Sequence, residues 1–155
     1  PLIYFIILMF IGGCAGSTTC GIKIFRVQIL YQFISNQLKK IIYPRGIFKI
    51  KYQNNNVDEK FMDSIISFIF LYILIFFIVT ALLSLDGLNF ITAISAAATS
   101  ISNVGPGLGD IIGPNGSFSS LSDFSKWVLS VAMILGRLEL FAILVLFIPS
   151  FWRKY

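Results

Sequence analysis

The residues of this sequence best placed to do chemistry offer their backbone rather than their side chains. The stretch TSISNVGPGLGD, residues 99–110, holds Gly105, Pro106, Gly107 and Gly109 and carries no charge before Asp110. Holding a monovalent cation without its water shell takes a row of carbonyl oxygens. Aiming successive carbonyls to one side requires the backbone to alternate in conformation, and glycine reaches positive φ without steric cost. In NVGPG, residues 103–107, glycine stands third and fifth. The potassium-channel filter TVGYG has glycine at the same two places. Asn103, Val104, Gly105, Pro106 and Gly107 are therefore the candidate K+ filter, with Asn103 where that filter has threonine. The competing reading is an ordinary glycine turn in water.

A second stretch, GGCAGSTTCG, is equally poor in large side chains. It comprises Gly12, Gly13, Cys14, Ala15, Gly16, Ser17, Thr18, Thr19, Cys20 and Gly21. Glycine in a helix interior costs about 1 kcal/mol relative to alanine, so this segment interrupts the helical pattern on either side of it. Small, hydroxyl-bearing residues there make a flexible segment; the alternative is a patch that lets helices pack closely. Cys14 and Cys20 are too few for a zinc site and read as small thiols in a packed region. The chain has no histidine, which removes histidine acid–base and triad chemistry. No paired intramembrane aspartates replace it, so an enzyme is not expected.

Arg137 is the third candidate. It lies about eleven residues after Lys126 and about fifteen before Trp152, deep in an apolar stretch. A charge at that depth marks function by default. Glu139, two positions on, falls on a different helix face and does not pair with it directly. A structural ion pair with another part of a larger protein is the competing reading.

The elements that must position these residues belong to a membrane. The 155 residues are 57% hydrophobic and only 12% charged, where soluble domains are about a quarter charged. The length suits two or three spans. The sequence starts at Pro1 inside an apolar run and reads as a C-terminal fragment of a longer chain. Residues 2–11 are apolar. After the glycine-rich stretch, IKIFRVQILYQFISNQLKKII resumes a helical pattern, with Ile22, Phe25, Ile29 and Phe33 along one side. Pro44 and Gly46 end it, and KYQNNNVDEK reads as a polar linker. Residues 64–85 run about 22 positions without a charge, enough to cross a core of about 30 Å. Residues 88–101, about 14 positions rich in alanine, are too short to cross and too apolar for a free loop. They predict a re-entrant helix, because irregular backbone at membrane depth survives only where protein or a watery cavity surrounds it. A final span of about 26 residues follows a polar connection. Trp127 marks its outer edge; Pro149, Phe151, Trp152, Arg153 and Lys154 mark its inner end. Gly12 and Gly13 hold the mid-helix place in the first broken span that Gly136 holds in the last, a faint internal repeat.

Charge sets the orientation. Lys23, Arg26, Lys39, Lys40, Arg45, Lys49, Lys51 and Lys60 face only Asp58 and Glu59, whereas 86–126 carries Asp86, Asp110 and Asp123 against Lys126. The positive-inside rule places 43–60 and the C-terminus in the cytoplasm and 86–126 outside. It also accounts for the net charge of +5 without nucleic acid as a partner.

The stretches GGCAGSTTCGIK, TSISNVGPGLG and SLSDFSKWVLSVAMILGRLELFAILVLFIPSFWR together resemble the TrkH branch of the Trk/Ktr/HKT potassium transporters over nearly the whole chain. The resemblance implies an all-α membrane protein built from helix–re-entrant pore helix–helix repeats, four of which surround a pseudo-fourfold pore. On that basis 1–42 is the second, glycine-broken span of the third repeat, 43–60 a cytoplasmic linker and 61–155 the fourth repeat. Asn103, Val104 and Gly105 would place carbonyls on K+, the transported ion; no organic cofactor is implied. The segment 12–21 would be the intramembrane gate loop beneath the filter, and Arg137 a cation that interacts with it. The implied partners are the remainder of the same polypeptide, a second copy in a homodimer and a cytosolic nucleotide-binding regulatory subunit. The basic stretch 39–51 also suits anionic lipid. The implied location is the bacterial inner membrane, crossed several times. The alternative is an ion-coupled secondary transporter with broken helices and a midplane substrate site.

Overall fold

The computed structural model describes residues 2–14, 17, 20–44, 46, 50–52, 55–109, 111–113 and 115–137. The order of elements is α1 (Leu2–Phe10), α2 (Ile24–Ile42), β1 (Lys51–Tyr52), β2 (Asn55–Asn56), α3 (Glu59–Leu85), α4 (Phe90–Ser102), a 3₁₀ turn (Phe118–Ser120) and α5 (Asp123–Arg137).

The long helix α3 forms because 59–85 contains neither glycine nor proline. At 27 residues it extends about 40 Å, longer than a hydrocarbon core. It starts before the uncharged run, since Glu59 and Lys60 join it directly after Asp58. Lys60–Leu85 is the stretch long and apolar enough to cross a membrane among the described residues, and only 22% of its most apolar window is buried within the chain. A soluble core helix would be mostly covered. Phe68, Tyr72, Val79 and Leu83 form the covered side, while Phe70 and Phe77 remain exposed on the other.

The centre of the fold is α4. Ten of its thirteen residues are buried, although at about 20 Å it is too short to cross. Ala93, Ala96 and Ala97 give it a smooth surface on which α3 and α5 close. At Gly136 of α5 a Cβ would collide with the carbonyl oxygen of Ile101, so the two helices touch backbone to backbone. Gly87, at φ +88°, supplies the turn from α3 to α4.

The amphipathic α2 docks near the start of α3. Ile29 is fully buried with Met62 and Ile65, flanked by Phe25 and Phe33, which are the positions its periodicity singles out. The guanidinium of Arg26 lies 3.8 Å from the centre of the Phe68 ring, a cation–π contact.

Within the linker 43–60, β1 and β2 pair antiparallel, Lys51 opposite Asn56 and Tyr52 opposite Asn55. One feature differs from the sequence expectation: Gly12 is not mid-helix. The helix ends at Phe10, and Gly12 lies in a backbone crossing described below, whereas Gly136 is inside α5. The apparent repeat between them is two separate close approaches. The final span is described as far as Arg137; its continuation, with Glu139, Pro149 and the aromatic and basic inner end, lies outside the described residues, as does Asp110.

Candidate functional site

The turn 103–109 begins where α4 stops. Asn103 adopts the left-handed conformation, φ +51° and ψ +43°, as the cap of α4. A β-branched residue at positive φ would be a severe outlier, whereas asparagine tolerates it. This gives a physical reason for Asn103 where the potassium-channel filter has threonine. The Asn103 amide nitrogen Nδ2 donates to the carbonyl of Met133 on α5, at 3.0 Å, so the side chain ties the turn to the neighbouring helix. Gly105 follows at φ +117°. Positive φ thus occurs at alternate positions, 103 and 105.

Side-chain hydroxyls from α4 hold this backbone in place. The Val104 amide donates to the Thr99 carbonyl at 3.0 Å, and the Gly105 amide donates to Thr99 Oγ1 at 3.0 Å. The returning chain is fixed by Ser95, whose hydroxyl donates to the Leu108 carbonyl at 2.9 Å and accepts from the Leu108 amide at 3.1 Å. The Gly107 amide donates to the Ile112 carbonyl at 2.9 Å. The amides are therefore committed. The carbonyls of Asn103, Val104, Gly105 and Pro106 accept no hydrogen bond among the described residues, and Val104 and Gly105 are exposed. A cavity of about 260 Å³ opens against the turn, lined by Thr99, Ser100, Gly105, Lys126, Leu129 and Met133.

Gly107 departs from the expectation that both glycines of NVGPG supply positive φ. Its φ is not in that range; a Cβ there would collide with the side chain of Ile112. It is required for space. The second glycine of positive φ is Gly109, at +105°.

The segment 12–21 is closed at its neck. Gly12 donates to the Ile22 carbonyl at 2.9 Å, Ile22 to the Phe10 carbonyl at 3.0 Å and Ile24 to the Gly13 carbonyl at 3.2 Å. Ile11 and Ile22 form a parallel bridge. A Cβ on Gly12 would stand 2.8 Å from the Cys20 carbonyl oxygen, and Gly21 takes φ +87°. Within the loop the Ser17 amide donates to the Cys14 carbonyl at 3.1 Å. Cys14 is exposed, Cys20 is buried, and both are free thiols. Ala15, Gly16, Thr18 and Thr19 lie outside the described residues.

Arg137 meets this loop. Its Nη1 donates to Cys20 Sγ at 3.9 Å, so the last described turn of α5 reaches the C-terminal arm of the neck. Among the described residues no group of three or more histidine, cysteine, aspartate or glutamate side chains is arranged to hold a metal ion; the uncommitted oxygens are backbone carbonyls. The TrkH family, described as cation transport protein, matches residues 2–154. The chain belongs to that family.

Individual TrkH-family relatives match nearly the whole chain. It is 45% identical over 150 residues to the Trk system potassium uptake protein TrkI of Halomonas elongata, an overlap of 97% of this chain and 30% of that protein. It is 36% identical over 145 residues to the Trk system potassium uptake protein TrkH of Escherichia coli K12, covering 94% of this chain and 29% of that one. The crystal structure of the potassium transporter TrkH from Vibrio parahaemolyticus superposes with a TM-score of 0.86 at 35% identity, over 98% of this chain and 32% of that chain. The chain spans about three tenths of the length of the curated relatives it matches. Its fold is that of an all-α membrane protein.

Sequence reasoning missed three groups of contacts in this TrkH-family chain. Thr99 and Ser95 hold the turn, and their only signal was hydroxyls on an otherwise alanine-rich buried helix. Tyr72 on α3 bonds Ser102 at 2.7 Å. Asp86, just past α3, accepts from the Ser122 hydroxyl and from Ser125 Oγ, the latter at 2.6 Å. Ser122 also caps α5 by accepting the Ser125 amide at 3.1 Å. Hydrogen bonds from Ser122 and then Ser125 hold the Asp86 carboxyl below the usual carboxylate range, outweighing a small opposing effect of desolvation.

Proposed function

We propose that this chain contributes one filter segment and one gate to a potassium uptake pore, acting as part of a longer polypeptide. The observation that carries this reading is the turn at the end of α4. Among the described residues the carbonyls at 103–106 are uncommitted, while the amides of 104, 105, 107 and 108 are all held. A K+ site needs oxygens whose partners are missing until the ion arrives. The relatives named as potassium uptake proteins support K+ as the substrate. Other repeats of the same polypeptide would complete the ring of carbonyls around it. The activity is transport, not enzymatic catalysis.

The segment 12–21 acts as the gate and Arg137 as its latch. Guanidinium carries five donors in a fixed plane, which lets it hold several acceptors of a bent loop at once. Latched, it closes the loop and adds a positive barrier to K+ at the same point. The basic residues of α2 and the hairpin suit a cytosolic nucleotide-binding regulatory subunit and anionic lipid, and a second copy forms a homodimer. The protein sits in the bacterial inner membrane, with 43–60 and the C-terminus inside and 86–126 outside.

The test is Gly105→Ser in the full-length polypeptide, read as growth of K+-uptake-deficient cells at limiting K+. No described atom of this chain lies within 4 Å of a Cβ at Gly105, but its φ of +117° strains any side chain placed there, so uptake is normalised to protein present in the membrane. We expect lower K+ preference over Na+ and poorer rescue. Unchanged rescue with unchanged ion preference removes Gly105 from the filter.

A further inference from the structure

We propose that Tyr72 is a positioning residue for ion selection: its hydroxyl fixes Ser102 and thereby the point where the filter turn departs from α4. The inference rests on the reading of 103–107 as a filter.

Tyr72 is 1% exposed and the largest fully buried side chain among the described residues. A buried phenol seeks a partner, and its partner is Ser102 Oγ at 2.7 Å. Ser102 is buried, and it is the last residue of α4. The next residue is Asn103, where the backbone crosses to positive φ. The bond therefore anchors the proposed filter turn to the middle of α3, one residue before the backbone changes hand.

A serine at a helix end readily bonds a carbonyl of its own preceding turn instead. The phenol competes with that arrangement and gives Ser102 a fixed partner. The phenol is itself held. The Phe68 ring lies 6.1 Å from the Tyr72 ring, and Phe10 meets it edge-on at 6.0 Å. Phe10 in turn packs edge-on against Phe76 at 5.0 Å. Phe10 is also the residue whose carbonyl accepts the Ile22 amide at the neck of the gate segment. One side chain thus connects the filter turn with the neck. No buried side-chain nitrogen or oxygen among the described residues lacks a partner, so the pair belongs to a fully satisfied interior.

The experiment measures Rb+ uptake and its inhibition by Na+ in membrane vesicles containing the full-length polypeptide, normalised to protein present. Tyr72→Phe keeps the ring and removes the hydroxyl; Ser102→Ala removes the other half. Each is expected to lower K+-over-Na+ preference about fivefold, the net worth of one hydrogen bond, with abundance and maximal flux close to wild type. The double variant should lose no more than the worse single one, because both remove the same bond. Ser102→Thr, which keeps a hydroxyl, should retain the preference. Unchanged preference in both single variants, or additive losses in the double, overturns the proposal. Should Tyr72→Phe fail to reach the membrane, Ser102→Ala alone decides. A wild-type protein without Rb+ uptake removes the filter reading itself, and this inference with it. A wild type that selects K+ beside a Tyr72→Phe and a Ser102→Ala that select equally well removes only the role of Tyr72.

Discussion

The turn after α4, proposed as a filter, and the neck of the 12–21 segment, proposed as a gate, are both built around glycine, yet they use it for opposite reasons. At the neck, Gly12 has backbone on the side where a Cβ would go, with the Cys20 carbonyl oxygen at 2.8 Å. At the turn, Gly105 faces open space and is needed for its φ of +117°. The neck is closed by backbone bonds among residues 10, 12, 13, 22 and 24. The turn has two backbone bonds, Val104 to Thr99 and Gly107 to Ile112, and is held further by the hydroxyls of Thr99 and Ser95, while the carbonyls of 103–106 stay unspent among the described residues. On the proposed reading, a gate that only has to open and close can satisfy itself, whereas a filter that has to bind an ion must keep its acceptors free and take part of its rigidity from neighbouring side chains. The comparison therefore predicts that the neck fails by steric damage and the turn by loss of side-chain support.

Gly12→Val should have the largest effect. Its Cβ meets backbone that cannot swing aside, so the neck must part. We expect a several-fold drop in membrane abundance or in resistance to proteolysis, measured against wild type. Normal abundance would mean that the neck bonds are dispensable and that the two regions are not built differently.

Thr99→Val comes next. It removes the acceptor for the Gly105 amide while preserving shape and burial, at a cost of about 1–3 kcal/mol for the orphaned donor. K+-over-Na+ preference should fall while maximal flux survives. If preference holds, the turn is supported by its own backbone, as the neck is.

Arg137→Ala should raise K+ flux per protein by releasing the gate segment from α5, and Arg137→Lys should fall between it and wild type, since lysine keeps the charge but not the planar fork. Shortening the 12–21 loop should raise flux in the same direction with selectivity largely kept. Reduced or unchanged flux in folded, normally abundant Arg137→Ala would leave Arg137 as a structural contact.

The smallest effect belongs to the tie between the end of α3 and the start of α5. Because hydrogen bonds lower the Asp86 pKa, its contribution is fully present above the ordinary carboxylate pKa and is lost as pH falls through the lowered value. Uptake and thermal stability should therefore not change through this group between pH 5 and 8, about one unit or more above the carboxylate range. Asp86→Asn should lower stability slightly and remove its share of any loss seen below about pH 4. A midpoint near neutral pH that disappears in Asp86→Asn would contradict the assigned direction.

By itself the sequence determined the membrane class, the crossing helix α3, the short α4 that cannot cross, and the identity of the glycine turn and the glycine-broken segment. Each of these follows from local quantities: run length against bilayer thickness, the spacing of apolar residues, and the conformational freedom of glycine at fixed positions. It also marked Arg137, because a guanidinium in an apolar stretch is conspicuous wherever it points. The tertiary structure alone decided what each glycine is for, since Gly107 and Gly136 are needed for the proximity of Ile112 and Ile101, residues whose approach no local pattern specifies. It decided likewise that Arg137 meets Cys20 across 117 positions and Tyr72 meets Ser102 across 30. Side-chain hydroxyls and thiols carry no periodic signal of their partners, because a hydrogen bond depends on which helices pack together and at what depth, and packing is settled by the whole chain at once.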